Sequence, residues 1–146
     1  MTKSKSTIVL LFSILFVNSL SSQSNNWQEY YSDEKIKIEY NYMNCEFSST
    51  ASQEVVIFRF SNLIESSIVI NYETRIWHED KEINTEQNRD EFRKIIKLKK
   101  NEIITINCEN KWKEYCIFSG FVNNDTNEKY ISLTKFELIN IKTENE

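Results

Sequence analysis

His78 is the one imidazole in the chain, so Ser-His-Asp or Cys-His chemistry would have to use it as the base. The supporting pattern is missing, because the sole glycine, Gly120, lies in no Gly-x-Ser-x-Gly turn. His78-Glu79-Asp80 offers three metal-binding side chains. The helical zinc motif, however, needs a second histidine one turn on, and that position is Glu82. We therefore expect no metal and no cofactor, and read His78 as a solvated residue opening a loop. Glu79 with Glu82, and Asp90 with Glu91, are pairs that glycoside hydrolysis could use. They fall in or directly beside the most hydrophilic stretch, His78 to Asp90, where carboxyls should stay ionised rather than become general acids. Asn123-Asn124-Asp125-Thr126 lacks the glycine of a calcium loop and reads as a turn. Asn124 with Thr126 also spells an N-glycosylation sequon.

Trp27, Trp77 and Trp112 could stack on a sugar or peptide, but each lies near a strand end, where a lid over the core is the commoner use. Arg93, Lys94, Lys97, Lys99 and Lys100 are the main basic concentration and read as a solvated strand face. Cys45, Cys108 and Cys116 contain no Cys-x-x-Cys redox pair. In an oxidising compartment two would pair as a staple. Three pairings are open, and the long Cys45–Cys108 link is favoured over the local Cys108–Cys116 one.

The elements that must position these residues are strands. Ile36, Ile38, Tyr40 and Tyr42 alternate with polar residues, the period of a half-buried strand. Glu54 to Phe60 is apolar enough for both faces to be covered. Ile68 to Trp77, Phe92 to Leu98, Ile104 to Cys108, Tyr115 to Phe118 and Ile131 to Ile141 complete about seven strands. Asn44 to Gln53 and His78 to Asp90 read as loops, the second with room for a short helix. No segment shows the amphipathic helices that an α/β fold needs. The expectation is an all-β, antiparallel, immunoglobulin/fibronectin-like sandwich.

At the N-terminus, Lys3 and Lys5 precede the apolar run Ile8 to Val17 and the small polar stretch Asn18 to Ser22, the layout of a secretory leader. That ten-residue run rises only about 15 Å as a helix, half the roughly 30 Å of a bilayer core, so we expect no membrane span once the leader is cut. The expected organisation is a signal peptide over 1–22, a polar lead-in over 23–34, a sandwich domain over 35–142 and a short tail over 143–146. Of the 18 basic and 22 acidic side chains, removal of Lys3 and Lys5 leaves 16 against 22, a net charge of −6. Nucleic acid is therefore not an expected partner. The protein should be secreted or periplasmic.

The run Glu54-Val55-Val56-Ile57-Phe58-Arg59-Phe60-Ser61-Asn62, the Arg75-Ile76-Trp77 strand end, Leu98-Lys99-Lys100-Asn101-Glu102 leading to Cys108, and Leu133-Thr134-Lys135-Phe136-Glu137-Leu138 resemble a group of small exported bacterial β-sandwich proteins. That resemblance implies a fold and carries no catalytic residue. The functional expectation is a non-enzymatic protein acting by surface contact with another protein or an envelope component. Trp77, His78, Glu79, Asp80 and Trp112 are its candidate surface. The alternatives are a small hydrolase using paired carboxylates and an envelope structural subunit assembled by strand pairing.

Overall fold

The computed structural model describes residues 27–46, 48–108 and 113–146. The expected leader, the start of the lead-in and Trp112 lie outside them. The described chain is mostly strand: β1 (Gln28–Ser32), β2 (Ile36–Glu46), β3 (Ala51–Asn62), β4 (Ile68–His78), β5 (Lys81–Glu82), β6 (Arg93–Leu98), β7 (Ile103–Ile106), β8 (Ile117–Asn123), β9 (Lys129–Tyr130) and β10 (Leu133–Asn145). Two 3₁₀ turns, Glu86–Phe92 and Lys113–Tyr115, interrupt it. All pairings are antiparallel, and they form two sheets in a curled, sandwich-like arrangement.

The first sheet is built on β3. Strand β2 covers one edge over its whole length, from Ile36 opposite Asn62 to Glu46 opposite Ser52. Strands β7 and β8 share the other edge end to end, opposite Phe58–Ser61 and Ala51–Val56. The second sheet is built on β4, with β10 along one edge and β6 and β5 end to end along the other. In the immunoglobulin order the chain changes sheet after its second strand. Here it changes after the third, because β1, β2 and β3 form a continuous meander.

Alternation fills the space between the layers. Ile36, Ile38, Val56, Phe58 and Phe60 from the first sheet meet Ile68, Ile70, Tyr72, Ile76, Ile96 and Leu98 from the second. Phe58, Phe60 and each of these isoleucines but Ile76 have no exposed surface, and truncating such a phenylalanine costs about 3–5 kcal/mol. Strand β10 departs from strict alternation. Its register against β4 slips between Ile139 and Lys142, with Asn140 in the left-handed region at φ 54°. The extra residue reverses the pleat, so Phe136, Leu138 and Ile141 all pack on the core although their numbers differ in parity.

Several boundaries differ from the sequence reading. Strand β1 lies inside the segment read as a lead-in, and β10 runs through the segment read as a tail. The loop expected over Asn44 to Gln53 shrinks because β2 extends to Glu46 and β3 starts at Ala51. Strand pairing explains this, since each polar side chain there sits opposite a partner in one unbroken hairpin register. The stretch read as a loop after His78 contains the β4–β5 hairpin and a 3₁₀ turn.

Side chains from other elements close the edges of the second sheet. The Tyr30 hydroxyl accepts from the Leu138 amide (2.6 Å) and lies 3.3 Å from the Leu138 carbonyl on the free edge of β10. On the opposite edge, the Tyr115 hydroxyl donates to the Ile95 carbonyl of β6 (3.2 Å). Between β5 and β6, Asn84 stands in for a strand. Its amide oxygen accepts from Ile76 N (2.8 Å) and its amide nitrogen donates to Thr74 O (2.7 Å). The crossover from β3 to β4 is tied by Asn62, whose amide donates to Ser66 O and Lys99 O and accepts from Ile64 N.

Candidate functional site

Of the candidate surface residues, Trp77, His78, Glu79 and Asp80 fall at one corner of the molecule, and Trp112 lies outside the described residues. Trp77, the second-last residue of β4, is half-buried. The Arg75 guanidinium sits 4.7 Å and the Lys135 ammonium 4.6 Å from its ring centroid. Arg75 is itself held by Glu82 through two hydrogen bonds (2.8 and 2.7 Å) and faces Glu137 at 3.5 Å. The indole is therefore a platform for its own cations, not the open stacking surface that its type suggests.

His78 is not a solvated loop residue. It ends β4 half-buried, with Nε2–H donating to the Phe118 carbonyl of β8 (2.9 Å) and its ring edge-on to Phe118 at 5.6 Å. That bond ties the second sheet to the first. Glu79 and Asp80 then form a two-residue turn with both φ angles positive, 49° and 62°. This is the conformation that hairpins usually fill with Asn-Gly. The turn docks on the β9–β10 connection. Glu79 N donates to Ser132 O (3.0 Å), the Glu79 carboxylate accepts from Ser132 N, and Asp80 N donates to Thr134 Oγ1 (3.1 Å).

Three residues that sequence reasoning missed complete the corner. Phe121 and Tyr130 are cross-strand partners on β8 and β9, 38% and 52% exposed. Ile131, beside Tyr130, is 50% exposed and sits at φ 60°, a conformation that β-branched residues rarely adopt. The rings of His78, Phe118 and Phe121 form a chain, the last contact at 4.9 Å, so the aromatic surface is continuous with the turn. Gly120 makes the close approach possible. A Cβ there would lie 2.7 Å from the Ile131 carbonyl oxygen and 2.5 Å from Lys129 Cε.

Behind this corner, Glu54, Ser119 and Lys129 bond to one another. Ser119 Oγ donates to Glu54 Oε1 (2.7 Å), and Lys129 Nζ donates to both Glu54 Oε1 (2.5 Å) and Ser119 Oγ (2.9 Å). Burial by itself would raise the Glu54 carboxyl, but the hydrogen bonds from Lys129 and Ser119 and the Lys129 charge hold it below its ordinary value. A serine beside a lysine is a nucleophile-and-base pairing in principle. Here the lysine is ion-paired and Ser119 has no exposed surface, so the three groups act as a satisfied internal network. The residues are 65 and 75 positions apart, and no local sequence signal announces them.

Elsewhere, Glu79, Glu82 and Asp90, three of the four carboxyls read as possible acid–base pairs, are engaged. Glu82 is held below its ordinary value by hydrogen bonding to Arg75, the wrong direction for a general acid, and Asp90 pairs with Arg93 at 2.9 Å. A cleft of about 530 Å³ on the second sheet is lined by Glu73, Arg75, Glu82, Asn84, Arg89 and Phe92. Glu73 faces Arg89 and Arg93 at 3.6 and 3.5 Å, so this cleft is walled by ion pairs. Cys45 and Cys108 are disulfide-bonded, with sulfurs 2.01 Å apart. The half-buried Cys116 thiol is pushed up to about 11 by burial and is protonated, hence unreactive, at neutral pH. Among the described residues, no group of three or more His, Cys, Asp or Glu is placed to hold a metal ion, and no helix is long and apolar enough to cross a membrane. No protein-family model, characterised protein or solved structure matches this chain.

Proposed function

We propose that this is an exported, non-enzymatic binding module that contacts a protein or cell-envelope component through the corner formed by Phe121, Tyr130 and Ile131 beside the Glu79–Asp80 turn. The layers serve as a scaffold in the immunoglobulin or fibronectin manner, presenting connections at one end. The observation that carries this reading is the coincidence of exposed apolar side chains with left-handed backbone at Glu79, Asp80 and Ile131. Left-handed geometry at such residues costs roughly 1–2 kcal/mol each, and strain of this kind persists where the surroundings enforce it, often at binding sites. Apolar side chains held out on a strained, hydrogen-bonded corner suit insertion into a partner's pocket.

The test is a pull-down from the native envelope with mass spectrometry. It compares the unmodified protein with the Tyr130→Asp, Ile131→Asp double variant and with Ile95→Asp, which alters an exposed residue on a different strand. Circular dichroism checks that both variants fold. The corner variant should lose the captured partner and the control should keep it; capture equal in all three would reject this surface. Export is tested separately by the N-terminal sequence of the mature protein, which should begin at or just after Ser22.

A further inference from the structure

We propose that the free edge of β10 is a self-pairing surface, on which a second copy of this chain adds antiparallel to form one continuous sheet, once Tyr30 leaves the edge. An edge strand of 13 residues is a template for another strand, and the identity of the added strand is written in its own register. In an antiparallel pair of identical strands related by a two-fold axis between Ile139 and Asn140, Lys135 faces Glu144 of the second copy and Glu137 faces Lys142. Phe136 then faces Thr143, and Leu138 faces Ile141.

This register would be impossible for a regular strand. Opposed residues would have opposite parity, so one would turn its backbone to the partner and the other away. The bulge between Ile139 and Lys142 removes the obstacle. Before it, Leu138 turns its amide and carbonyl to the free edge, as its bonds to Tyr30 show. After it, Lys142 and Glu144 face Asn71 and Val69. These two β4 residues turn their backbones towards β10, because Thr74 and Ile76 turn theirs towards Asn84 on the other side. Ile141 and Thr143 are therefore left for the free edge. The side chains agree. Phe136, Leu138 and Ile141 pack on the core, so the apolar pairs meet on the inner face. Lys135, Lys142 and Glu144 are exposed and Glu137 is half-buried on the same face, bonded to Lys135 and facing Arg75, so the charge pairs meet on the outer face and extend that existing cluster. Like charges would oppose one another if this complementarity were absent.

Open grooves flank the edge on both sides of Leu138. One of about 230 Å³ runs along Leu133–Phe136, and one of about 460 Å³ lies beside Ile141 and Thr143. Tyr30 is the plug between them, stacked on Phe136 at 5.8 Å with its hydroxyl on Leu138. In the paired state the backbone of Ile141 of the second copy takes the place of that hydroxyl.

Sedimentation velocity on the full mature protein from micromolar to millimolar concentration tests the inference. Tyr30→Phe removes the competing hydroxyl and should tighten the monomer–dimer equilibrium about tenfold. Glu137→Lys should weaken it at least tenfold, and Lys142→Glu added to Glu137→Lys should restore it, since the charges are exchanged and not lost. Circular dichroism establishes that each variant folds. As a direct geometric check, the Lys135→Cys, Glu144→Cys double variant should form an intermolecular disulfide on mild oxidation. The opposed residues form a pair without backbone hydrogen bonds, about 4.5 Å apart at Cα. A monomer at every concentration for both the unmodified protein and Tyr30→Phe would overturn the proposal. So would a dimer indifferent to Glu137→Lys.

Discussion

Gly120 and Ile131 are in contact yet constrained in opposite ways. Gly120 is needed because the β9–β10 connection passes within a Cβ radius of it. Gly120→Ala should destabilise the fold by about 1–3 kcal/mol, the usual cost of overpacking against atoms that cannot retreat, read as a lowered urea midpoint with unchanged slope. Ile131 occupies backbone space that asparagine tolerates and a β-branched residue does not. Ile131→Asn should therefore stabilise by about 1 kcal/mol while weakening partner capture, because it removes an exposed apolar side chain from the corner. A protein that gains stability and loses binding at one position is the expected sign of a functional residue. If Ile131→Asn leaves both unchanged, the corner is neither strained nor used.

Asn84 performs the work of a strand with one side chain. It satisfies Ile76 N and Thr74 O in the gap of β4 that neither β5 nor β6 covers. Thr74 and Ile76 are 4% and 8% exposed, so Asn84→Ala would strand two backbone groups away from water. It should cost about 2–3 kcal/mol, and hydrogen exchange at the Ile76 amide should accelerate while that at Phe58 follows only the global change. The substitution shows where sequence reading reaches its limit. The seven segments with period-two or continuous apolar patterns each correspond to a strand, because that pattern is the direct imprint of one face on the core. Of the three further strands, β5 and β9 are 2 residues each, too short for a period to register, and β1 carries its two tyrosines side by side and so shows no alternation. Of the corner proposed as a contact surface, Trp77 to Asp80 were legible, because they open a conspicuous polar stretch. Phe121, Tyr130 and Ile131 were not, since their significance lies in a cross-strand pairing and in backbone angles that composition does not encode. The Asn140 bulge was hidden for the same reason: a slip of one residue moves Ile141 onto the core without altering its identity.

Across the whole molecule, stability depends on carboxylates that are tied to the fold at points far apart. Burial alone would raise Asp33, but its bonds from the Ile36 and Lys35 amides and the Tyr31 hydroxyl hold it below its ordinary value. Glu39 likewise has burial raising it and Lys37 and Arg59 more than reversing that, and Glu54 and Glu82 are depressed as described above. Each of these groups has a folded-state value below its unfolded one, near pH 4. The stability they contribute is thus fully present above that value and is lost as pH falls through the folded values. The four sit in the β1–β2 turn, on the outer side of the first sheet, in the network behind the corner and beside Trp77, so acid acts on both sheets at once. The thermal midpoint should be flat from about pH 5 to 8 and fall steeply below pH 4. Replacing Glu39 and Glu54 by glutamine should lower the midpoint at neutral pH and flatten the acid limb. A midpoint that rises as the solution is acidified below pH 4 would show that these carboxylates are not stabilised by folding, and that the ion pairs on the two sheets are incidental.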